Sequence, residues 1–315
     1  MGSESRNRYL LKNTLIFTLG NIGSRMISFF LIPLYTNVLT TSQYSTVDLI
    51  TTISTVAGPM LTLNIAESVM RFGLDKDADK EKNTQCGSIV LLIAMIIGLV
   101  LIPICRCITE VSDYAMYVYF YVISLSASQL FLCDLRGKEL LLKYSLGNIL
   151  QTLMIAILNI TFLLVFKMET GGYLLAYIIA NFIVAIYAII AGKGYKAFSF
   201  HNIDRCKLKE MIRYSVVLIP NTFMWWIMNS SDRVMVTYMI GAAANGIYAV
   251  SYKLPTLVST LTGIFNQAWS YSAIREEGTS DETEYNNKMF KTLSAIAFMM
   301  GIGLLLLTKP FLGVY

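Results

Sequence analysis

Charged residues are scarce in this sequence. Only 14% of its 315 residues are charged and 55% are hydrophobic, whereas about a quarter of the residues in a soluble domain are charged. The charges that are present cluster between long apolar runs. This distribution excludes an ordinary soluble domain and indicates an integral membrane protein.

The residue types that carry most enzyme chemistry are also few. His201 is the only histidine and lies in a predicted loop, which excludes a histidine-based catalytic or metal centre. The five cysteines have neither disulfide spacing nor zinc-ligand spacing. No phosphate-binding loop of the form G-x-x-x-x-G-K-[ST] occurs, so the chain does not hydrolyse ATP by that route. We expect no enzyme activity, cofactor, metal or nucleic-acid partner. An enzyme acting on lipid-linked sugars is the distant alternative.

Nine apolar segments are long enough to cross a bilayer, which takes roughly 20 residues. They cover 13–37, 46–70, 87–105, 114–133, 144–166, 171–192, 212–231, 246–271 and 290–308. Of the 25 lysines and arginines, nineteen fall in loops on the same side as the N-terminus and four in loops on the other side. The positive-inside rule therefore predicts a multi-pass protein of the cytoplasmic membrane with its N-terminus in the cytoplasm.

An internal repeat relates the first span to the seventh. A shift of 201 residues superimposes two basic flanks: Arg6, Arg8 and Lys12 on Lys207, Lys209 and Arg213. Two unrelated spans with basic flanks can also be aligned in this way. However, both segments run in the same direction, as a parallel repeat requires, and parallel repeats are a transporter architecture.

The repeat predicts the domain organisation. We expect an all-α helix bundle with a six-helix N-terminal lobe over 1–192, a cytoplasmic linker over 193–211 and a partial second lobe over 212–315. A complete second lobe would repeat all six spans of the first, and only three spans follow the linker. We therefore expect a truncated second lobe.

The first predicted span carries a polar stripe with a cation at its centre. The stripe recurs at intervals of three or four residues, which places it on one helical face: Thr14, Thr18, Asn21, Arg25 and Ser28. Placing Arg25 at mid-membrane costs about 2.5–3.5 kcal/mol on insertion scales. A carboxylate partner that only fixes packing is one explanation. The continuous stripe favours the other, a cationic site in a central cavity.

Two acids in the second span are candidates for ion coupling. Asp48 lies near the outer interface, where a structural role explains it equally well. Glu67 lies near the inner end, four residues before Arg71, and we expect these two to form an ion pair.

The seventh and eighth spans supply further candidate cavity residues. Pro220 frees a carbonyl within the seventh span, and Asn221, Trp225 and Asn229 follow at intervals of four. We expect the next pair, Asp232-Arg233, to end this helix at the outer surface. Lys253 in the eighth span is a candidate second cavity cation, although its long stem could instead reach the interface. In the fifth span, helix-to-helix hydrogen bonding explains Asn148, Thr152 and Asn159.

Several stretches resemble the oligosaccharide flippases of polysaccharide biosynthesis. They are "KNTLIFTLGNIGSRMISFFLIPLY", "AESVMRFG", "RGKELLLKYSLGNIL" and "YSVVLIPNTFMWWIMNSSDRVMVTYMIGAAANGIYAVSYKLPTLV". These flippases belong to the exporter superfamily that also contains the multidrug-and-toxin extruders. The similarity covers nearly the whole chain, and the block with PN, NSSDR and G-x-Y is its most specific part.

The resemblance implies a two-lobed bundle that moves a polyprenyl-pyrophosphate-linked oligosaccharide from the inner to the outer leaflet by alternating access. Arg25 occupies the place of first-span arginines that meet the pyrophosphate, and a guanidinium matches phosphate oxygens bidentately. The implied partners are the lipid-linked oligosaccharide, membrane lipid, and the polysaccharide polymerase and chain-length machinery. The alternatives are a cation-coupled multidrug extruder and a truncated, non-transporting scaffold of a polysaccharide assembly complex.

Overall fold

The computed structural model describes residues 31–75, 78–105, 112–198, 204–252, 259 and 282–312. Every regular element in these ranges is helical, which confirms the all-α fold class. The chain divides into two compact units, Met1–Gly246 and Ile247–Tyr315. Four predicted site residues lie outside the described residues: Asn21, Arg25, Ser28 and Lys253.

Ten helices form the described chain. They are α1 (Ile32–Val38), α2 (Thr41–Leu61), α3 (Ile65–Gly73), α4 (Lys80–Cys105), α5 (Ala115–Gly137), α6 (Leu141–Ile160), α7 (Glu169–Ala191), α8 (Arg205–Met239), α9 (242–252) and α10 (Glu282–Leu312). A π-helical turn, Thr161–Val165, extends α6, and short 3-10 helices cover Ser112–Tyr114 and Gly194–Phe198. Helix α8 begins inside the predicted linker 193–211, so the end of that segment is helical. The division into two lobes stays a prediction.

Four described helical segments are long and apolar enough to cross a membrane. They are Lys80–Pro103, Ser112–Gly137, Leu141–Val165 and Glu169–Ala191, and they match the third to sixth predicted spans. Helices α2 and α3 together form a fifth candidate that is bent by 61°. Helix α8 is not among these candidates, and the apolar part of α10, Phe290–Gly303, is short. The count of nine spans therefore stays a prediction.

The second predicted span is broken in the middle, which corrects the continuous helix expected over 46–70. Pro59 has no N–H to donate to the carbonyl four residues earlier, and this weakens the last turn of α2. Leu63 and Asn64 then take positive φ angles of 51° and 55°, which no helix interior accommodates. The chain re-enters a helix at Ile65 in a new direction.

Helix α5 is the central element of the first unit. It packs against α2, α3, α4, α6 and α7, and its apolar side chains form the core with those of α3, α4 and α7. Helix α8 lies along the bent pair α2–α3. In the middle of α3, Ser68 Oγ donates to the Met211 carbonyl at 2.7 Å. The first unit is thus a bundle of helices around α5 with α8 on one side.

Helices α3 and α5 cross where two glycines meet. A Cβ atom added at Gly73 would lie 2.9 Å from the Gly137 Cα, which is backbone and cannot rotate away. Gly73→Ala should therefore destabilise the protein by about 1–3 kcal/mol through overpacking. We expect a melting temperature at least about 2 °C lower in detergent. Gly301→Ala is the control, because no described atom lies within 4 Å of its added Cβ. Equal melting temperatures for both variants would contradict the close crossing.

An ion pair joins three helices at the end of the bundle that we predict to be cytoplasmic. Lys138 Nζ lies 2.6 Å from Asp134 Oδ2, with side-chain exposures of 12% and 3%. The same ammonium donates to the Gly192 carbonyl, the C-cap of α7, at 2.9 Å. Thr84 on α4 donates to the other oxygen of Asp134. These bonds fix α4, α5 and α7 to one another.

Candidate functional site

A polar cavity of about 740 Å³ lies between α2, α3, α5, α6 and α8. All of these helices belong to the first compact unit. Five carboxamide side chains line it: Asn64, Gln129, Asn148, Gln151 and Asn221. The rings of Tyr144 and Tyr214 also face it. A cavity of this size and polarity within a bundle of apolar helices is the candidate functional site.

Helical periodicity brings these residues to one place. On α6, Tyr144, Asn148 and Gln151 are spaced by four and three residues, and on α8, Tyr214 and Asn221 are seven apart. Residues at such spacings share one helical face. The bend between α2 and α3 contributes the remaining wall, because it turns the start of α3 toward α5.

Gln129 is exposed within an otherwise buried stretch of α5 because it faces the cavity. Within 121–137 it is the one residue that the structure leaves exposed. Its side chain, like those of Asn148 and Asn221, makes no hydrogen bond to another residue in the described ranges. Each carboxamide carries two donors and one acceptor oxygen. Three of the five lining carboxamides can therefore bind a ligand without breaking an existing bond.

The other two carboxamides hold the wall together. Asn64 Nδ2 donates to Thr222 Oγ1 at 3.3 Å, which joins the α2–α3 bend to α8. Gln151 Nε2 donates to Asn181 Oδ1 at 2.7 Å, which joins α6 to α7. Such bonds were expected for Asn148, Thr152 and Asn159, and this prediction is wrong. Thr152 and Asn159 donate to the Asn148 and Ile155 carbonyls of α6 itself. Asn148 lines the cavity with Gln151, which only the neighbouring helices reveal.

Glu67 is the one charged side chain among the described residues that line the cavity. The predicted ion pair with Arg71 is wrong. Arg71 Nη1 instead lies 2.6 Å from Asp75 Oδ1, because the chain beyond the end of α3 brings Asp75 back to the arginine. Glu67 forms no ion pair within the described ranges. Its carboxylate is half-buried and available to the cavity.

Asp48 has a partner that sequence analysis missed. Arg233 Nη1 lies 2.8 Å from Asp48 Oδ1, and the two side chains are only 14% and 5% exposed. The predicted end of the helix at Asp232-Arg233 is wrong, because α8 continues to Met239. The sequence does contain a signal for this pair, because the two opposite charges lie at similar depths near the predicted outer ends of the second and seventh spans. The role of Asp48 in ion coupling stays a prediction.

The Asp48–Arg233 pair belongs to a polar seam between α2 and α8. Arg233 Nη1 also donates to Thr52 Oγ1 at 3.4 Å. About two turns earlier on α8, the indole Nε1 of Trp226 donates to the Thr52 carbonyl at 2.9 Å. The cavity wall begins at Thr55, one helical turn further along α2. The seam therefore lies on the side of the cavity that is predicted to face outward.

Of the three candidate residues on the seventh span, only Asn221 lines this cavity. Trp225 is 60% exposed, and Asn229 Nδ2 donates to the Trp225 carbonyl at 2.7 Å. A helix turns by about 100° per residue, so each step of four residues rotates the side chain by about 40°. These rotations are small, so Trp225 and Asn229 stay on the same side of α8 as Asn221 but lie one and two turns further along the helix, beyond Thr222, the last α8 residue that lines the cavity. Helix α8 also runs through Pro220 without a break.

The family of the chain follows from its comparison with known proteins. The family model described as "Polysaccharide biosynthesis protein" matches residues 10–274. No curated protein and no solved structure matches the chain. With the apolar helices described above, this match indicates a multi-pass membrane protein with a role in polysaccharide synthesis or export. The resemblance noted in the sequence is confirmed at the family level: the chain belongs to the polysaccharide biosynthesis protein family.

Proposed function

We propose that this protein is a flippase that carries a polyprenyl-pyrophosphate-linked oligosaccharide from the inner to the outer leaflet of the cytoplasmic membrane. The observation that supports this function most is the carboxamide-lined cavity. Sugar hydroxyls both donate and accept hydrogen bonds, and so do carboxamides. The rings of Tyr144 and Tyr214 add flat apolar surface for a sugar face. Polar groups placed inside a membrane bundle mark a substrate pathway by default.

The seam between α2 and α8 supports the alternating-access part of the proposal. Opening the cavity along this seam requires separating Asp48 from Arg233 and Trp226 from the Thr52 carbonyl. These are a few discrete contacts that a substrate-linked rearrangement can exchange. The seam is therefore our candidate for the outer gate. From the sequence, we propose that Arg25, Asn21 and Lys253 bind the anionic pyrophosphate and that Ser28 lines the cavity.

A cation-coupled multidrug extruder is the second candidate. One observation favours it: the charged residue in the described wall is Glu67, and a carboxylate suits a cationic drug or a coupling proton. Against it stand the three unengaged carboxamides, which suit a polyhydroxylated ligand better than an apolar cation. We therefore rank the flippase first.

The test is a flipping assay with the full chain in liposomes that contain a polyprenyl-pyrophosphate-linked trisaccharide. The measurement is the rate at which a membrane-impermeant glycosidase gains access to the sugar. The double variant Gln129→Leu/Asn221→Leu removes two unengaged carboxamides from the wall. Each lost hydrogen bond is worth about 0.5–1.5 kcal/mol, so we expect flipping to slow by roughly tenfold.

Asn229→Leu is the matched control, because it removes a carboxamide from the same helix outside the described cavity. We expect it to flip at the wild-type rate. An unchanged rate in the double variant would remove the cavity from the transport path. Absence of flipping by the wild-type chain, together with export of cationic dyes, would favour the extruder instead.

A further inference from the structure

We infer that the wall around Glu67 selects lipid-linked glycans whose sugars carry no carboxylate. The inference rests on the proposed function, because it specifies the glycan that the cavity accepts. It follows from the charges of the wall, from the groups free to bind sugar, and from the partners of the nearby cations.

The charge of the described wall is negative. Glu67 is its one charged member, and the polar residues near it are neutral carboxamides, hydroxyls and phenols. A carboxylate is an acceptor only, so it can bind a sugar hydroxyl or the N–H of an acetamido group. A uronic acid in the same place would set two carboxylates side by side. Such a like-charge contact is a device by which sites reject the wrong partner.

One described cation contacts the wall, and others near it are engaged with further groups. The guanidinium of Arg136 lies over the ring of Tyr144, a lining residue, with its Cζ 5.5 Å from the ring centroid, but Arg136 itself does not line the cavity. Arg71, one turn from Glu67, is paired with Asp75. Lys207 lies over the Phe72 ring, 4.2 Å from its centroid, and contacts Glu210 at 3.2 Å. Lys138 is held by Asp134. Within the described ranges, therefore, no cation lines the cavity to neutralise an acidic sugar.

The groups that are free to bind are those that neutral sugars use. Gln129, Asn148 and Asn221 offer unengaged carboxamides from three different helices. Together with Glu67 they surround the space with both donors and acceptors. The pyrophosphate is itself anionic and must lie away from Glu67. The glycan is thus seated with its sugars at Glu67 and its pyrophosphate toward the cations predicted elsewhere.

The experiment compares two soluble probes that differ in charge: tetragalacturonate and its fully methyl-esterified form. Binding to the full chain in lipid nanodiscs is measured by saturation-transfer NMR, which detects weak ligands. We expect the ester to bind about tenfold more tightly than the acid, the ratio that 1.4 kcal/mol produces. Glu67→Gln should bring the two affinities within about twofold of each other by removing the repulsion.

Two further variants make the result specific. Glu210→Gln neutralises an exposed glutamate outside the cavity and should leave the ratio unchanged. Gln129→Glu adds a second carboxylate to the wall and should increase the ratio. It also tests the idea if Glu67→Gln does not fold.

The inference is overturned if the acid binds as well as the ester, if Glu67→Gln leaves the ratio unchanged, or if neither probe binds. Failure of the proposed function looks different. In that case the ester binds with the expected ratio, yet the liposome assay shows no flipping of a lipid-linked glycan.

Discussion

Replacing Asp48 with asparagine is expected to lower the free energy of unfolding by about 3–5 kcal/mol, the usual cost of removing one partner of a buried ion pair. The pair is almost fully sheltered, with side-chain exposures of 5% for Asp48 and 14% for Arg233. The substitution leaves the guanidinium without its carboxylate in a place that water and counter-ions reach poorly. Since domains are stable by only about 5–15 kcal/mol, this loss should be visible in expression as well as in denaturation.

The measurement is a double-mutant cycle with Asp48→Asn, Arg233→Gln and the double variant, each followed by chemical denaturation in detergent. Because the residues are in contact, the two single effects should exceed the effect of the double variant by more than about 1 kcal/mol. Glu210→Gln is the control, since it removes the exposed pair with Lys207, and surface pairs contribute at most about 1 kcal/mol. Additive effects in the cycle would mean that the seam is held by other contacts.

The same variants connect the seam to transport. If the outer gate opens by separating α2 from α8, a weakened pair lowers the free energy of the open state relative to the closed one. Asp48→Asn would then change the flipping rate per amount of folded protein, which a loss of stability alone would leave unchanged. In that case the interaction that stabilises the bundle would also set part of the barrier to transport.

The parts of the fold that could be predicted are those that depend on local sequence. Long apolar runs identified the third to sixth spans because the hydropathy of a segment does not depend on its neighbours. The effect of proline was harder to predict. Pro220 removes a backbone donor within the seventh span, yet α8 is continuous there. The break occurs after Pro59, where two following residues adopt positive φ angles.

The candidate site was predictable only where a polar residue had no other explanation. Glu67 and Asn221 were noticed as polar groups in apolar spans, and both line the cavity. Asn148 and Gln129 were not proposed, because a polar residue on a membrane helix is commonly a hydrogen-bonding partner of the next helix. Whether it faces a helix or a cavity depends on packing between segments far apart in sequence. The Asp48–Arg233 pair was missed for the same reason, since 185 residues separate its members.

Arg25→Ala is expected to abolish flipping while leaving membrane insertion and expression intact. Arg25 lies at the centre of the first predicted span, within a polar stripe that also contains Asn21 and Ser28. A guanidinium binds two phosphate oxygens at once, whereas an ammonium acts as a point charge. Arg25→Lys should therefore restore flipping only in part. If the arginine served packing alone, alanine would reduce expression, and both variants would flip in proportion to the folded protein present.

The measurement is the liposome flipping assay, normalised to the amount of folded protein, for Arg25→Ala, Arg25→Lys and Arg8→Ala. Arg8 is the matched control, because it is an arginine in the predicted cytoplasmic flank of the same span. Adding inorganic pyrophosphate should inhibit the wild-type chain by competing for the guanidinium, and it should not affect the residual activity of Arg25→Lys to the same degree. Full flipping by Arg25→Ala would exclude Arg25 from substrate binding. The pyrophosphate would then need another binding group, because by the argument made for Glu67 the carboxylate repels it from the carboxamide wall.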